Sequence, residues 1–174
     1  DLPISQTALE VDNCKDGFAE FNRIRGNGAN RGIRIVQSYG NFKAQYNDVT
    51  VRGPAIIVEG FTSDKQAVGV ELKHNKLKSL EAQGVYLGEN TDGAIVGENE
   101  IDVLPSQYSV STFSATNSIV YNTLRGYSDS QPPRGRGTIG DYWLNTKPVS
   151  GSYKGWLATE TGSNIRWYGF GLIE

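Results

Sequence analysis

Five asparagines punctuate the chain, each followed two residues later by an aliphatic residue: Asn22 before Ile24, Asn47 before Val49, Asn75 before Leu77, Asn99 before Ile101 and Asn122 before Leu124. They stand 25, 28, 24 and 23 residues apart. The residue three before each is also apolar: Ala19, Ala44, Leu72, Val96 and Ile119. A self-similar period in this range belongs to a solenoid, whose coils bury their apolar faces only by stacking. Further upstream, Ile33 and Ile35, Val85 and Leu87, and Tyr108 and Val110 lie fourteen and twelve residues before their asparagines. Alternation of that kind turns every second side chain inward from an extended strand. Each repeat is therefore one coil of two or three short strands, and the chain is a β-solenoid.

Asparagine suits the fixed polar position for a physical reason. A coil turns its corner with backbone amides partly buried, and those groups need partners. An Asn side chain offers donors and an acceptor and tolerates the left-handed backbone region that corners demand. With coils about 4.8 Å apart, each amide can bond to the next and build an internal ladder. The residues that follow the asparagines are Arg23, Asp48, Lys76, Glu100 and Thr123, and the first four alternate in sign. They are expected to form an outward charge ladder, worth at most about 1 kcal/mol per exposed pair.

At 174 residues the chain holds one moderate domain or two small ones. Its mean hydropathy of -0.43 fits a thin solenoid with much outer surface. Net charge is -2 with both signs mixed, which suggests neither a nucleic acid nor an anionic membrane as partner. No apolar run reaches the length of a membrane span. Leu9, Val11 and the run from Asn13 to Gly17 match Val85, Leu87 and the run from Glu89 to Gly93, so the first coil opens in mid-pattern. The expectation is the C-terminal piece of a longer solenoid. Cys14 is the single cysteine, so stability rests on packing rather than on an intrachain disulfide.

The repeat fades after Leu124. Residues 126–139 are rich in Gly, Pro, Ser and Arg and are expected to be a linker between coils at 1–125 and a small module at 140–174. All three tryptophans, Trp143, Trp156 and Trp167, fall in the last 32 residues. Short alternating stretches separated by turn residues give a small antiparallel β-module. So few residues bury too little to stand alone, so the module should pack on the solenoid end or on copies of itself.

The coils resemble the right-handed parallel β-helix of pectate-lyase-like proteins, which carry Asn at one corner in the same inward role. The tail, with Gly140-Asp-Tyr-Trp-Leu-Asn145, Pro148, Gly151, Gly155-Trp156, and Trp167 followed by Phe170-Gly-x-Ile173, resembles the short C-terminal module of many bacteriophage tailspikes and related β-helical polysaccharide-degrading proteins. The first resemblance covers about 8–125 and the second about 135–174. Together they imply an all-β chain, a right-handed parallel β-helix of about five coils followed by a small antiparallel β-module. They further imply a homotrimer in the virion tail that binds, and usually cleaves, a bacterial capsular polysaccharide or O-antigen without a cofactor. Partners would be that glycan, two further copies and the N-terminal remainder of the spike, with neither nucleic acid nor membrane. Gly140, Asp141, Asn145, Pro148, Gly155 and Trp156 carry the module's pattern, which implies a structural role at the spike tip. The alternatives are a fragment of a secreted bacterial polysaccharide lyase or glycoside hydrolase, and a noncatalytic adhesin tip.

Glycoside hydrolysis needs two carboxylates at spacings that stacked coils supply readily. The turn residues Glu59, Asp64, Glu89 and Asp92 are the candidates, although carboxylates on turns usually bond to their own loop. The 28-residue coil carries extra residues from Phe61 to Gln66, which should bulge, and such loops tend to carry function. Glu100 and Asp102 share one strand face and look exposed. A lyase would need a base and a neutralising cation. His74 lies between Lys73 and Lys76, yet it aligns with Phe21, Tyr46, Glu98 and Tyr121, which points to a stacking position at the corner. No residue cluster has metal-ligand spacing. For carbohydrate binding, Tyr153, Trp156 and Trp143 offer rings on which sugars can stack. A structural use of the tryptophans ranks ahead of that, with Trp143 and Trp167 buried and Tyr153 exposed.

Overall fold

In the computed structural model, which describes residues 6–26, 30–114, 116–119 and 124–174, the chain winds as an all-β solenoid of about five turns with no helix among the described residues. Each turn contributes one strand to each of three parallel sheets. The first sheet stacks Thr7–Asp12, Arg31–Val36, Ile56–Glu59, Val85–Leu87 and Val110–Thr112. The second stacks Phe18–Glu20, Lys43–Gln45, Glu71–Lys73, Ile95–Gly97 and Ser118–Ile119. The third begins with Arg23–Arg25, Asp48–Val51, Lys76–Ser79, Glu100–Asp102 and Leu124–Ser128.

Register converts the sequence repeat into columns of like residues. Leu9, Ile33, Ile56, Val85 and Val110 face one another in turn. So do Ala19, Ala44, Leu72, Val96 and Ile119, and Ile24, Val49, Leu77 and Ile101. Between the end turns these side chains are essentially fully buried. Burying one side chain the size of Leu72 contributes about 1.5–3 kcal/mol. A one-residue slip would turn a whole column to solvent, so the apolar pattern fixes the register.

The asparagine ladder is present. Asn22, Asn47 and Asn75 each donate an Nδ2 hydrogen to the Oδ1 of the next asparagine at 2.9 Å, and the backbone N–H of each donates to the same oxygen at 3.0 Å. The second amide hydrogen of Asn47, Asn75 and Asn99 reaches the carbonyl of Ala19, Ala44 and Leu72 at 2.8–2.9 Å. Asn122 lies outside the described residues. One expectation is corrected. The left-handed conformation belongs not to the asparagines but to the residue before each: Phe21, Tyr46, His74 and Glu98 have φ between 54° and 57°. That kink points the bulky residue outward and leaves the asparagine free to point in. The strain of an αL backbone, roughly 1 kcal/mol or more for such residues, is offset outside the corner by stacking of Phe21 on Tyr46 and of Tyr46 on His74, at 5.2 and 5.1 Å.

The fifth turn departs from the expected register. Val110, rather than Tyr108, pairs with Val85, and Leu124 pairs with Glu100 rather than continuing the column of Ile101. The slip carries the next residue, Arg125, into the interior, where it is fully buried. Its guanidinium donates to the carbonyls of Leu104, at 2.9 Å, and Gln107. It lies 3.4 Å from the Asp141 carboxylate and 5.5 and 6.0 Å from the ring centroids of Trp167 and Trp143. Asp141, equally buried, accepts the Ser109 hydroxyl at 2.6 and 2.5 Å and the Thr138 amide at 3.0 Å. An ion pair so enclosed is held by its hydrogen bonds more than by charge attraction, because desolvation costs several kcal/mol per ion.

The tail continues the solenoid's third sheet. Tyr142–Asn145 adds to Leu124–Ser128 in parallel, then Tyr153–Ala158 and Trp167–Leu172 add antiparallel, making eight strands in all. Within 126–139, expected as a linker, the end of Leu124–Ser128 belongs to this sheet, and Gly135–Gly137 pairs with Gly162–Ile165. The motif glycines have steric reasons. Gly140 sits at φ 89°, and a Cβ on Gly155 would lie 2.3 Å from the Trp143 carbonyl oxygen. Asn145 pins its turn by donating to the Tyr153 carbonyl at 2.8 Å and accepting from the Lys147 amide at 2.9 Å. Trp143, Trp156, Ala158, Ile165 and Trp167 form a second core. The Thr138 hydroxyl bonds to the Val110 carbonyl at 3.0 Å, and the Arg136 amide to the Pro105 carbonyl at 3.0 Å, so this region closes over the last turn.

Candidate functional site

The longest coil places its extra residues at the corner between the first and second sheets. There Phe61 to Gln66 fold into a tight turn, with the Phe61 amide donating to the Lys65 carbonyl and the Lys65 amide to the Thr62 carbonyl, both at 3.0 Å. The two preceding coils turn the same corner through Asn13 and Gln37, at φ 50° and 48°, whose amides donate to the Val36 and Glu59 carbonyls. Loop and corners enclose a cleft of about 400 Å³ lined by Asn13, Gln37, Tyr39, Asp64, Lys65 and Gln66, among others. Three side-chain amides give paired donors and acceptors, and the exposed Tyr39 offers a ring face. That is chemistry for a polyhydroxylated ligand.

The cleft is better equipped to bind than to transfer protons. Asp64 accepts the Thr62 hydroxyl at 2.6 Å, and this bond, with one from backbone, holds its carboxyl below the usual range. A general acid requires the opposite displacement. Glu59 is committed to Arg34, which donates to it through Nε and Nη2 at 2.6 Å each and meets Glu10 at 3.1 Å. Burial alone would weaken the charge on Arg34, but the hydrogen bonds to Glu59 and Glu10 overturn that and raise its pKa. The Phe61 ring lies 6.0 Å from the same guanidinium. Glu89 is exposed, and Asp92 pairs with Val68 in a two-residue ladder. Of the four candidate carboxylates, the cleft contains Asp64 alone.

The remaining candidates are accounted for by neighbours. His74 stacks on Tyr46 and meets Glu98 at 3.2 Å, Lys73 meets Glu71 at 2.6 Å and Lys76 meets Glu100 at 3.4 Å. Lys78 pairs with Asp102 at 2.7 Å, while Asp48 pairs with Arg25 and not with Arg23. Trp143 and Trp156 retain only 8% and 6% of their surface, so neither offers a face to sugar; Tyr153 is exposed. Among the described residues no three His, Cys, Asp or Glu side chains gather as a metal site. Sequence reasoning missed Asn13, Gln37 and Tyr39, which belong to other coils than the loop. The one available signal was that surplus residues on one coil must lie against its neighbours.

The fold and cleft together define a parallel β-solenoid with a polar corner site bordered by an exposed tyrosine. No family model, no curated protein and no solved structure matches the chain.

Proposed function

We propose that this chain is the C-terminal region of a trimeric bacteriophage tailspike, and that it holds a bacterial surface polysaccharide in the corner cleft. The observation that carries this is the cleft itself: amides from three coils around an exposed tyrosine, on a fold common among proteins that bind or depolymerise polysaccharides. Solenoid rungs fix the backbone that carries these groups, so little backbone ordering entropy is lost on binding. The role of this region is engagement. Asp64 is held ionised and so is unsuited to act as a general acid, and Glu59 is engaged by Arg34, so the acid in any bond cleavage by the whole spike would be a carboxylate elsewhere.

Association of three copies is supported by the exposed apolar residues of the tail, among them Tyr127, Leu157, Tyr168 and Leu172. Two measurements test the proposal. Binding of the labelled chain to an array of bacterial surface polysaccharides should select one or a few glycans, with Tyr39→Ala losing most of the signal; uniform silence would end the glycan assignment. Light scattering should give three times 19.0 kDa, and a clean monomer would remove the trimer from this region.

A further inference from the structure

A second cleft, of about 300 Å³, opens on the outer face of the first sheet and is lined by Arg31, Ile57, Glu59, Gln83 and Tyr86, with Pro54. Glu59 stands two residues before Phe61, where the loop walling the first cleft begins, so one stretch of chain borders both. In the outward row of this sheet Arg34, Ile57 and Tyr86 are successive neighbours. Tyr86 is half-buried and packs edge-on against Phe113, at 5.7 Å between centroids. A ring, an amide and a cation line each cleft, the cation being the Lys65 ammonium in the first and the Arg31 guanidinium here.

The charges around the two clefts are unequal in their commitments. Arg34 is taken by Glu10 and Glu59, and Glu59 in turn has its charge answered by Arg34. Arg31 in the second cleft and Lys65 in the first meet no carboxylate within 4.0 Å among the described residues, so the cation of each cleft faces its hollow without an ion-pair partner. A guanidinium left free beside a sugar-sized hollow is a bidentate partner for a ligand carboxylate. Asp64 already accepts from Thr62 and serves ligand hydroxyls with its remaining lone pairs.

We infer that the bound glycan is acidic and spans both clefts, with sugar carboxylates placed on Lys65 and Arg31. This rests on the glycan reading of the corner cleft and names the substrate class. The test uses the whole chain on an array in which each bacterial polysaccharide is printed twice, native and with its uronic carboxyls reduced to alcohols. Reduction should lower binding about tenfold or more, as loss of a charge-assisted hydrogen bond implies. Arg31→Gln and Lys65→Gln should each lower native binding and become insensitive to reduction at their own cleft. Equal binding to native and reduced glycans overturns the acidic assignment while leaving glycan engagement standing. Binding weakened by Lys65→Gln and Tyr39→Ala but untouched by a folded Arg31→Gln removes the second cleft. Silence toward every glycan overturns both. Should Arg31→Gln fail to fold, Arg31→Lys keeps the charge and loses the bidentate fork, and native binding unchanged by it removes the second cleft.

Discussion

In the solenoid corner, the polar groups inside the molecule come as a row of identical amides, each rung answering the next: Asn47 accepts from Asn22 and donates to Asn75, which donates to Asn99. In the tail, the interior polar group is a single ion pair, Arg125 with Asp141, with the guanidinium beside two indole rings and the pair held by Ser109, Thr138, Leu104 and Gln107. One arrangement spreads its stabilisation over many equivalent bonds; the other concentrates it in one assembly with no spare partner. Repetition tolerates loss at the ends, whereas a unique network fails at any member.

The largest effect should follow from stripping the unique network. Asp141→Ala leaves the Arg125 charge buried without a counter-ion and is expected to cost about 3–5 kcal/mol. All three tryptophans lie in the tail, so urea unfolding followed by tryptophan fluorescence reports that region while circular dichroism follows the sheets as a whole. Superimposable curves before and after the substitution would show that tail and solenoid are one cooperative unit and erase the contrast.

Next comes the ladder. Asn75→Ala orphans the Asn47 amides and the Ala44 carbonyl and should cost about 3 kcal/mol, against about 1 kcal/mol for Asn22→Ala at the first described rung. Equal costs for the two would contradict a ladder whose strength is in its middle.

A comparable effect depends on pH. Burial, the chief cause, lifts the Asp141 carboxyl to about 6 despite Ser109, Thr138 and Arg125, which pull it down. The folded state thus holds this proton more tightly than the unfolded chain. Its contribution is complete below about pH 4 and is lost as pH rises through 6, on the order of 3 kcal/mol. The fluorescence-detected melting temperature should fall between pH 5 and pH 7, and Asp141→Asn should flatten that slope. A tail equally stable at both values would refute it. Least of all, Lys78→Ala breaks an exposed pair with Asp102 and should change stability by less than about 1 kcal/mol; a larger loss would mean that the outer charge ladder is structural.

The same contrast governs what could be read from the chain. A column such as Ala44, Leu72 and Val96 announces itself because repetition writes the same physics several times over. The register slip at Leu124 is written once. An aliphatic residue stands two after Asn122, as the pattern asks, and an arginine beside it reads as solvent-facing. Only the partnership with Asp141, distant in sequence, makes a buried Arg125 tolerable. The αL corners were obscured because propensity argues against Phe21, Tyr46 or His74 at positive φ, and their stack exists only once coils are superposed. At the site, Asp64 was legible from the surplus length of its coil. Asn13, Gln37 and Tyr39 were not, since stacking rather than sequence proximity brings them there.

The reversal of strand direction after Asn145 gives the molecule a polarity. A parallel coil presents three edges on which another coil of the same kind can register, and a stack built that way has no inherent length. Here Tyr142–Asn145 extends one sheet, Tyr153–Ala158 runs back against it, and Thr138 and Arg136 occupy carbonyls above the last coil. At that end the third sheet no longer offers a parallel edge and the first has its Val110 carbonyl occupied, so a further parallel turn would lose its usual pairing on two of the three sheets. The tail is, in effect, a chain terminator for the stacking reaction.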